Sequence, residues 1–235
     1  MDNKSIIGEK INDELDELYR IVKIFNNNDI KYFIRGNILL HLIQQENQYY
    51  KYIHGTTNLN LHTERKELTY LTLAISNEYP NIIVKYSENG LVRRLSNLNL
   101  GTITRIDINN SEDINLDTRY INLYQIKDQK FYGNTVEGIL RDKISSISSE
   151  SIRRRFKDIV DLYILVDMLG ISEEELKTKL KKYSNGFNCL EDPETIRAKN
   201  EFKRLIPESK ETVEQIYKWI LEQVKDIKEG DLWWQ

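Results

Sequence analysis

Hydrophobic side chains recur every three or four residues over about residues 9–27, a spacing that predicts a first amphipathic helix. A short β-rich run, Ile30–Ile34, follows and leads into Arg35-Gly36-Asn37. A second amphipathic stretch begins at Ile38 and continues to about Gln45. Strand, glycine turn and helix form the first unit of an α/β layer, and such a turn presents backbone N–H groups at a helix N-terminus, where phosphate can bind.

Polar and apolar residues alternate from Thr56 to Leu61, which predicts a strand. Asn58 and Asn60 would point to one face of that strand, and Leu59 and Leu61 to the other. Two short polar side chains at this spacing resemble the pair with which nucleotidyl-transfer enzymes hold divalent metal, although in those enzymes both residues are aspartates.

The remaining pattern changes from mixed to helical along the chain. We predict a helix over 64–79, ending at Pro80, and strands over 82–84, 91–92 and 102–108, with Asp107 opposite its apolar neighbours. After about residue 125 we predict only helices, over 135–148, 152–169, 172–183, 194–206 and 211–228. The predicted fold class is therefore α+β: a mixed-sheet α/β domain at residues 1–125, a helical bundle at 126–235, and a cleft between them.

Composition narrows the class of protein. The chain has 40% hydrophobic and 30% charged residues, with 10 Gly and 3 Pro, which is typical of an ordinary globular protein with little linker. No apolar run approaches the ~20 residues that span a bilayer, and the N-terminus lacks the apolar stretch of a signal peptide. The single cysteine, Cys189, excludes an internal disulfide and is expected to be a semi-buried thiol rather than a nucleophile. We therefore expect a cytoplasmic protein without a membrane partner.

A formal net charge of −3 argues against a basic nucleic-acid-binding surface, so any phosphate recognition must be local. Arg93-Arg94 and Arg153–Lys157 could supply it. Arg154, Asp158 and Asp161 share one helical face, which would suit a polyphosphate if Lys143 lay nearby. The competing interpretation is a surface salt-bridge stripe worth only ~0.3–0.5 kcal/mol per pair.

Four segments together resemble the AbiEii/AbiGii-type nucleotidyltransferases, the toxin components of bacterial abortive-infection and toxin–antitoxin systems. These segments are residues 34–42, 56–61, 138–144 and 154–163, and the resemblance covers roughly residues 30–170. It implies Mg²⁺ or Mn²⁺ as cofactor and a nucleoside triphosphate bound in the interdomain cleft. It also implies transfer of a nucleotidyl group to an RNA such as tRNA or to a protein, and a cognate antitoxin as partner.

The resemblance also implies roles for individual residues. The glycine-turn motif would approach the nucleotide phosphates, and the Asn58–Asn60 pair stands where the family has metal-ligand aspartates. His54 stands where the family usually has arginine. The implied sites are, for nucleotide binding, Arg35, Gly36, Asn37, Lys143 and Arg154; for metal, Asn58, Asn60 and Asp107; and for catalysis, Asp107, Lys143 and Asp158, with Asp161 structural or supporting.

The two asparagines leave two functions open. Hard divalent cations prefer anionic oxygen, and an amide is neutral, so we expect weak metal binding and much reduced transfer. The alternatives are a nucleotidyltransferase that still works through Asp107 and a non-enzymatic module that binds a nucleotide, an RNA or a protein. The asparagines could also have been introduced by engineering to silence a toxic protein. Asp113 and Asp117 lie in a look-alike motif that comes too late in the chain, and a three-histidine metal site (His41, His54 and His62) is not expected.

Overall fold

The computed structural model describes residues 3–50, 58–86, 92–100, 103–111, 118–148, 156–184, 186–187, 190, 193–205 and 210–227. The chain forms two compact units, Met1–Gly138 and Ile139–Gln235. Several residues singled out from the sequence lie outside the described residues: His54, Asp113, Asp117, Arg154 and Cys189.

The first unit is built on a seven-stranded mixed sheet, counted over the described residues, in the order β3-β4-β5-β2-β1-β7-β6. At its centre, β1 pairs antiparallel with β2 and parallel with β7, while β2 runs parallel to β5. The outer pairs β3–β4, β4–β5 and β6–β7 are antiparallel. The strands are β1 Tyr32–Arg35, β2 Asn58–Glu64, β3 Ile83–Tyr86, β4 Val92–Leu100, β5 Ile103–Ser111, β6 Ile121–Ile126 and β7 Gln129–Asn134.

Three helices, α1 (Asn3–Asn27), α2 (Asn37–Glu46) and α3 (Leu68–Glu78), pack on one face of this sheet. Along β2, Leu59 and Leu61 are fully buried, whereas the asparagines between them are partly exposed. Leu61 lies beside Ile34 of β1 and Ile108 of β5, so one apolar layer runs across the central strands beneath the helices. Because side chains alternate along a strand, the residues between these apolar positions point to the opposite face.

The second unit is helical. It contains most of α4 (Val136–Ile147), together with α5 (Phe156–Leu169), α6 (Glu173–Tyr183), α7 (Pro193–Leu205) and α8 (Lys210–Val224). Ser172 caps α6 by accepting a hydrogen bond from the backbone N–H of Glu175, as its position before an acidic first turn predicts. Aromatic contacts join α5 to α8, where the Tyr163 and Trp219 ring centroids are 5.1 Å apart.

The predicted α+β fold class, a mixed sheet with helices followed by a helical bundle, is confirmed. Two details were wrong. The β6–β7 hairpin continues the sheet past residue 125, where only helices were expected. The helix predicted from Glu64 begins at Leu68, because β2 extends to Glu64 by pairing with β5. Among the described residues, no helix is long and apolar enough to cross a membrane.

Candidate functional site

A row of four polar side chains crosses the sheet on the face opposite α1–α3. Arg35 of β1 pairs with Asn60 of β2, Asn60 pairs with Asp107 of β5, and Asp107 pairs with Arg94 of β4. Directly paired residues present their side chains on the same face, with Cβ atoms ~4.5–5.5 Å apart in antiparallel pairs. We call Arg35, Asn60, Asp107 and Arg94 the polar row.

Asn58 and Arg105 lie beside the polar row, because each precedes a row residue by two positions and the two pair with each other. Arg105 is therefore on the same face as Asp107. The structure thus brings together three arginines, two asparagines and one carboxylate. Counting only these residues, the face carries two net positive charges.

Both carboxylate oxygens of Asp107 are engaged by arginine. Arg94 donates from Nε to Oδ1 at 2.7 Å, and Nε of Arg105 lies 2.9 Å from Oδ2. The second contact is too bent for a good hydrogen bond, so we treat it as mainly electrostatic. Asp107 is 13% exposed, while Arg94 and Arg105 are 48% and 33% exposed. The carboxylate is therefore enclosed between two guanidinium groups that still face outward.

The turn after β1 meets the polar row at Asn60. Gly36 has φ +85°, a conformation that L side chains rarely adopt, and it precedes α2 without providing a side-chain cap. A Cβ placed on Gly36 would lie 2.8 Å from Nδ2 of Asn60. Glycine is therefore required at this position for two reasons: the positive φ angle and the close approach of the Asn60 amide.

His62 lies on the same face of β2, two residues after Asn60. Burial lowers the pKa of its imidazole, and the positive charge of Arg35 lowers it further, so His62 is neutral at pH 7. His41 lies in α2, with Nδ1 2.6 Å from a carboxylate oxygen of Glu14 in α1. The two histidines are therefore on opposite sides of the sheet, and His54 lies outside the described residues.

A second cluster of charged residues lies in the helical unit. Lys143 of α4 donates from Nζ to Asp158 at 2.7 Å and to Asp161 at 2.6 Å, and Ser146 donates to the other oxygen of Asp158 at 2.7 Å. Lys143 and Asp161 are buried. Burial lowers the pKa of Lys143, but the carboxylates of Asp161 and Asp158 outweigh it, and the net pKa lies above its ordinary value. This ammonium stays charged and neutralises two acids, which is the pattern of a structural ion cluster.

The residues implied by the resemblance therefore fall into two groups. In the first unit, Arg35, Gly36, Asn58, Asn60 and Asp107 come together, and Asn37 begins α2 with its side chain buried. In the second unit, Lys143 and Asp158 are in contact. Their catalytic, phosphate-binding and metal-binding roles stay predictions.

Sequence reasoning missed Arg105 and noted Arg94 only as half of a basic pair. Alternation separates that pair: Arg93 points toward α3, where it donates to the Leu68 carbonyl and the Thr72 hydroxyl, and Arg94 points to the polar row. The signal for Arg105 was its position two residues before Asp107 in one strand.

The residues present do not fit a divalent metal. Of the three implied ligands, Asn58 and Asn60 are neutral, and Asp107 already has an arginine nitrogen at each oxygen. Mg²⁺ and Mn²⁺ would have to displace those arginines and would meet net positive charge. In the part of the chain that the structure describes, no group of three or more His, Cys, Asp or Glu side chains is arranged to hold a metal ion.

Comparison with known proteins supports the fold. No protein-family profile matches the chain, and no curated protein gives a significant match. Among solved structures, a candidate nucleotidyltransferase from H. pylori matches 97% of this chain and 99% of its own, with 16% identity and a TM-score of 0.50. This likeness shows that the chain has a nucleotidyltransferase-like fold.

Two further solved structures are similar to the chain to a lesser degree. ANT(2'')-Ia in complex with adenylyl-2''-tobramycin matches 71% of this chain and 94% of its own, with 12% identity and a TM-score of 0.47. An antigenic nucleotidyltransferase-like protein from Paracoccidioides brasiliensis matches 90% of this chain and 91% of its own, with 14% identity and a TM-score of 0.41.

Proposed function

We propose that this chain is a nucleotidyltransferase-fold protein that binds a nucleoside triphosphate through its phosphates and does not transfer a nucleotidyl group in its present form. The observation that carries the proposal is the state of Asp107, whose two carboxylate oxygens lie against Arg94 and Arg105. Both oxygens of the only acid among the three implied metal ligands therefore contact arginine. On this proposal, the face of the sheet binds phosphate and does not bind a metal ion.

Charge argues against transfer. Nucleotidyl transfer places developing negative charge on the reacting phosphate, and divalent ions held by carboxylates stabilise it while aligning the attacking and leaving oxygens. The arginines of the polar row can neutralise phosphate charge, which supports binding. They do not activate an attacking hydroxyl, because a guanidinium keeps its protons in proteins. Asp107, the acid of the row, is held by its arginine contacts and is poorly placed to act as a base.

The second candidate is an active enzyme of the AbiEii/AbiGii type, which would transfer a nucleotidyl group to RNA or protein and would be controlled by a cognate antitoxin. The glycine turn at Gly36, with its φ of +85° before α2, supports it, because this turn can approach phosphates closely. Such an enzyme would need Mg²⁺ or Mn²⁺ to pull Asp107 away from its arginines. Lys143 would likewise have to leave Asp158 or Asp161 to reach phosphate.

A transfer assay combined with a binding assay tests the proposed function. The chain is incubated with each labelled nucleoside triphosphate, a tRNA pool and Mg²⁺ or Mn²⁺, and binding of the same nucleotides is measured by calorimetry. We expect binding without incorporation into RNA or into the protein itself. Metal-dependent incorporation by the unmodified chain would establish the second candidate. Absence of binding to every nucleotide would exclude the first.

A further inference from the structure

The polar row carries a charge opposite to that of a metal-binding site, and this points to the form of ligand that it recognises. We propose that Arg35, Arg94 and Arg105 bind the phosphates of a nucleoside triphosphate that carries no metal, and that Mg²⁺ weakens this binding. The inference rests on the proposed function and specifies it further. It differs from what the resemblance implies, in which Mg²⁺ or Mn²⁺ is the cofactor of an active enzyme.

The spacing of the strands sets the size of the ligand. Neighbouring strands lie ~4.8 Å apart, so β1 and β4, separated by β2 and β5, are about three spacings or ~14 Å apart. Arg35 and Arg94 stand at the two ends of this row, and Arg94 reaches inward to Asp107. The central stretch between the two arginines holds Asn60 and Asp107. A chain of several linked phosphates suits this stretch better than one isolated phosphate.

The arginines are positioned before any ligand arrives. Asp107 contacts both Arg94 and Arg105 through Nε, and each guanidinium carries five N–H donors. The carboxylate can therefore orient two planar groups side by side on the open face of the sheet. Guanidinium groups fixed in this way bind phosphate oxygens with paired hydrogen bonds, and less side-chain entropy is lost on binding.

The start of α2 adds to the same end of the row. Gly36 lies next to the amide of Asn60 and directly precedes α2, and Asn60 is itself paired with Arg35. Helix N-termini favour negative charge. This contribution is secondary to the arginines, but it has the same sign. It indicates that one end of the phosphate chain lies near Gly36.

Magnesium is expected to oppose binding because recognition is by charge. A bound Mg²⁺ cancels two negative charges of the triphosphate and occupies oxygens that the arginines would contact. The face offers the metal no carboxylate in exchange, since Asp107 is held between Arg94 and Arg105. In a protein that holds its nucleotide through metal, the effect of Mg²⁺ has the opposite sign.

Calorimetric titration with ATP, and with inorganic triphosphate, in EDTA and in excess Mg²⁺ tests the proposal. In EDTA we expect both probes to bind, and in Mg²⁺ we expect the affinity for ATP to fall about tenfold. Arg94→Gln and Arg105→Gln should each weaken ATP binding about tenfold in EDTA, and Arg94→Lys should weaken it less. Arg197→Gln, which removes an exposed arginine from α7, is the matched control and should have no effect.

The outcomes separate this inference from the proposed function. Binding of ATP that requires Mg²⁺, or that is unchanged by both glutamine variants while circular dichroism shows them folded, overturns the inference and leaves nucleotide binding intact. Binding of ATP without binding of inorganic triphosphate overturns recognition through the phosphates. If neither ATP nor inorganic triphosphate binds in EDTA or in Mg²⁺, the inference and the proposed function are both overturned.

Discussion

Arg94 and Asp107 face each other across the β4–β5 pair, with Nε of the arginine 2.7 Å from Oδ1 of the aspartate. This contact places a cation on the one acid among the three implied metal ligands. Arg105 adds a second cation at the other oxygen. The two asparagines are therefore not the only obstacle to a metal at the implied site, because Arg94 and Arg105 contact both oxygens of Asp107.

We therefore expect that aspartates at positions 58 and 60 alone will not give tight metal binding. Asn58→Asp/Asn60→Asp would leave three acids among three arginines, close to neutrality. Adding Arg94→Ser/Arg105→Ser would leave three acids beside a single arginine. We expect this quadruple variant to bind Mn²⁺ at least about tenfold more tightly than the double aspartate variant, because its oxygen ligands and its net charge both favour the ion.

Electron paramagnetic resonance of free Mn²⁺ measures this directly. The variant Arg94→Ser/Arg105→Ser, with both asparagines retained, is the control and should bind Mn²⁺ as weakly as the unmodified chain. If the double aspartate variant binds Mn²⁺ as tightly as the quadruple variant, the arginines do not block the site. Nucleotide transfer regained in the double variant would identify a silenced enzyme.

Gly36→Ala tests the contact between the glycine turn and the polar row. The added Cβ would meet Nδ2 of Asn60 at 2.8 Å, and the φ of +85° is unfavourable for alanine. We expect a loss of about 1–3 kcal/mol in the free energy of unfolding, measured by urea denaturation. Combining it with Asn60→Ala should recover part of the loss, because the shorter side chain leaves room for the methyl group. An unchanged stability in the single variant would contradict the geometry of this turn.

Lys143→Met tests whether the charged cluster of the second unit is structural. Removing the ammonium leaves the buried Asp161 and the partly buried Asp158 without their cation. We expect a loss of about 3–5 kcal/mol in the free energy of unfolding, followed by the fluorescence of Trp219 and the other tryptophans. Arg197→Met, which breaks an exposed pair with Glu201, is the control and should cost at most about 1 kcal/mol. Equal losses in the two variants would argue against a structural cluster.

The pH dependence of the Lys143 cluster has a definite sign. Because the folded pKa of Lys143 lies above its ordinary value of 10.5, its contribution to stability is complete below that pH and is lost as pH rises through the folded pKa. The free energies of unfolding of the unmodified chain and of Lys143→Met are compared by urea denaturation between about pH 8 and pH 11, a range chosen around the ordinary pKa of lysine. The difference between them should shrink only at the alkaline end of this range. A difference that shrinks already near pH 8 would contradict the assignment.

His62 provides a reporter for ligand binding on the sheet face. Burial and the positive charge of Arg35 lower the pKa of His62. The neutral imidazole therefore contributes to stability above pH 6.5, the ordinary pKa of histidine. This contribution is lost as the pH falls through the pKa of the folded state. A triphosphate bound to Arg35 would offset the positive charge and raise the pKa of His62. Titration of the imidazole proton signals by NMR, assigned with His62→Gln, should show this rise. An unchanged pKa with bound ATP would place the ligand elsewhere.

The sequence was sufficient to predict the first helix, the β1–Gly36–α2 unit and the helices of the second unit, because each has a clear hydrophobic period and a marked end. It was not sufficient for β6 and β7. Their alternation is weak, exposed Leu123 and Tyr132 interrupt the polar face, and the turn between them uses Lys127 at φ +53° rather than glycine. Tertiary pairing with β1, through β7, decides this hairpin.

The clustering of the candidate residues was predictable, but their electrostatic surroundings were not. Asn58, Asn60 and Asp107 were identified from alternation, and the register confirms that the strands bearing them are neighbours. The contacts of Asp107 depend on Arg94, which lies in β4, the strand directly before β5. Alternation predicted that strand only over 91–92, and the β4–β5 register shifts between Ser96 and Leu100, so the basic surroundings of Asp107 became visible only in the sheet.

Asp107→Asn tests the central claim most directly, because the two accounts predict different results in EDTA and in Mg²⁺. If Arg94 and Arg105 bind phosphate beside Asp107, removing the negative charge of Asp107 should strengthen ATP binding in EDTA about threefold or more, measured by calorimetry, because the gain in net positive charge outweighs the loss of arginine orientation. If Asp107 is a metal ligand, the substitution should leave binding in EDTA unchanged and should abolish a Mg²⁺-dependent component. Tighter binding in EDTA is the result that we predict, and loss of a Mg²⁺-dependent component would contradict the account.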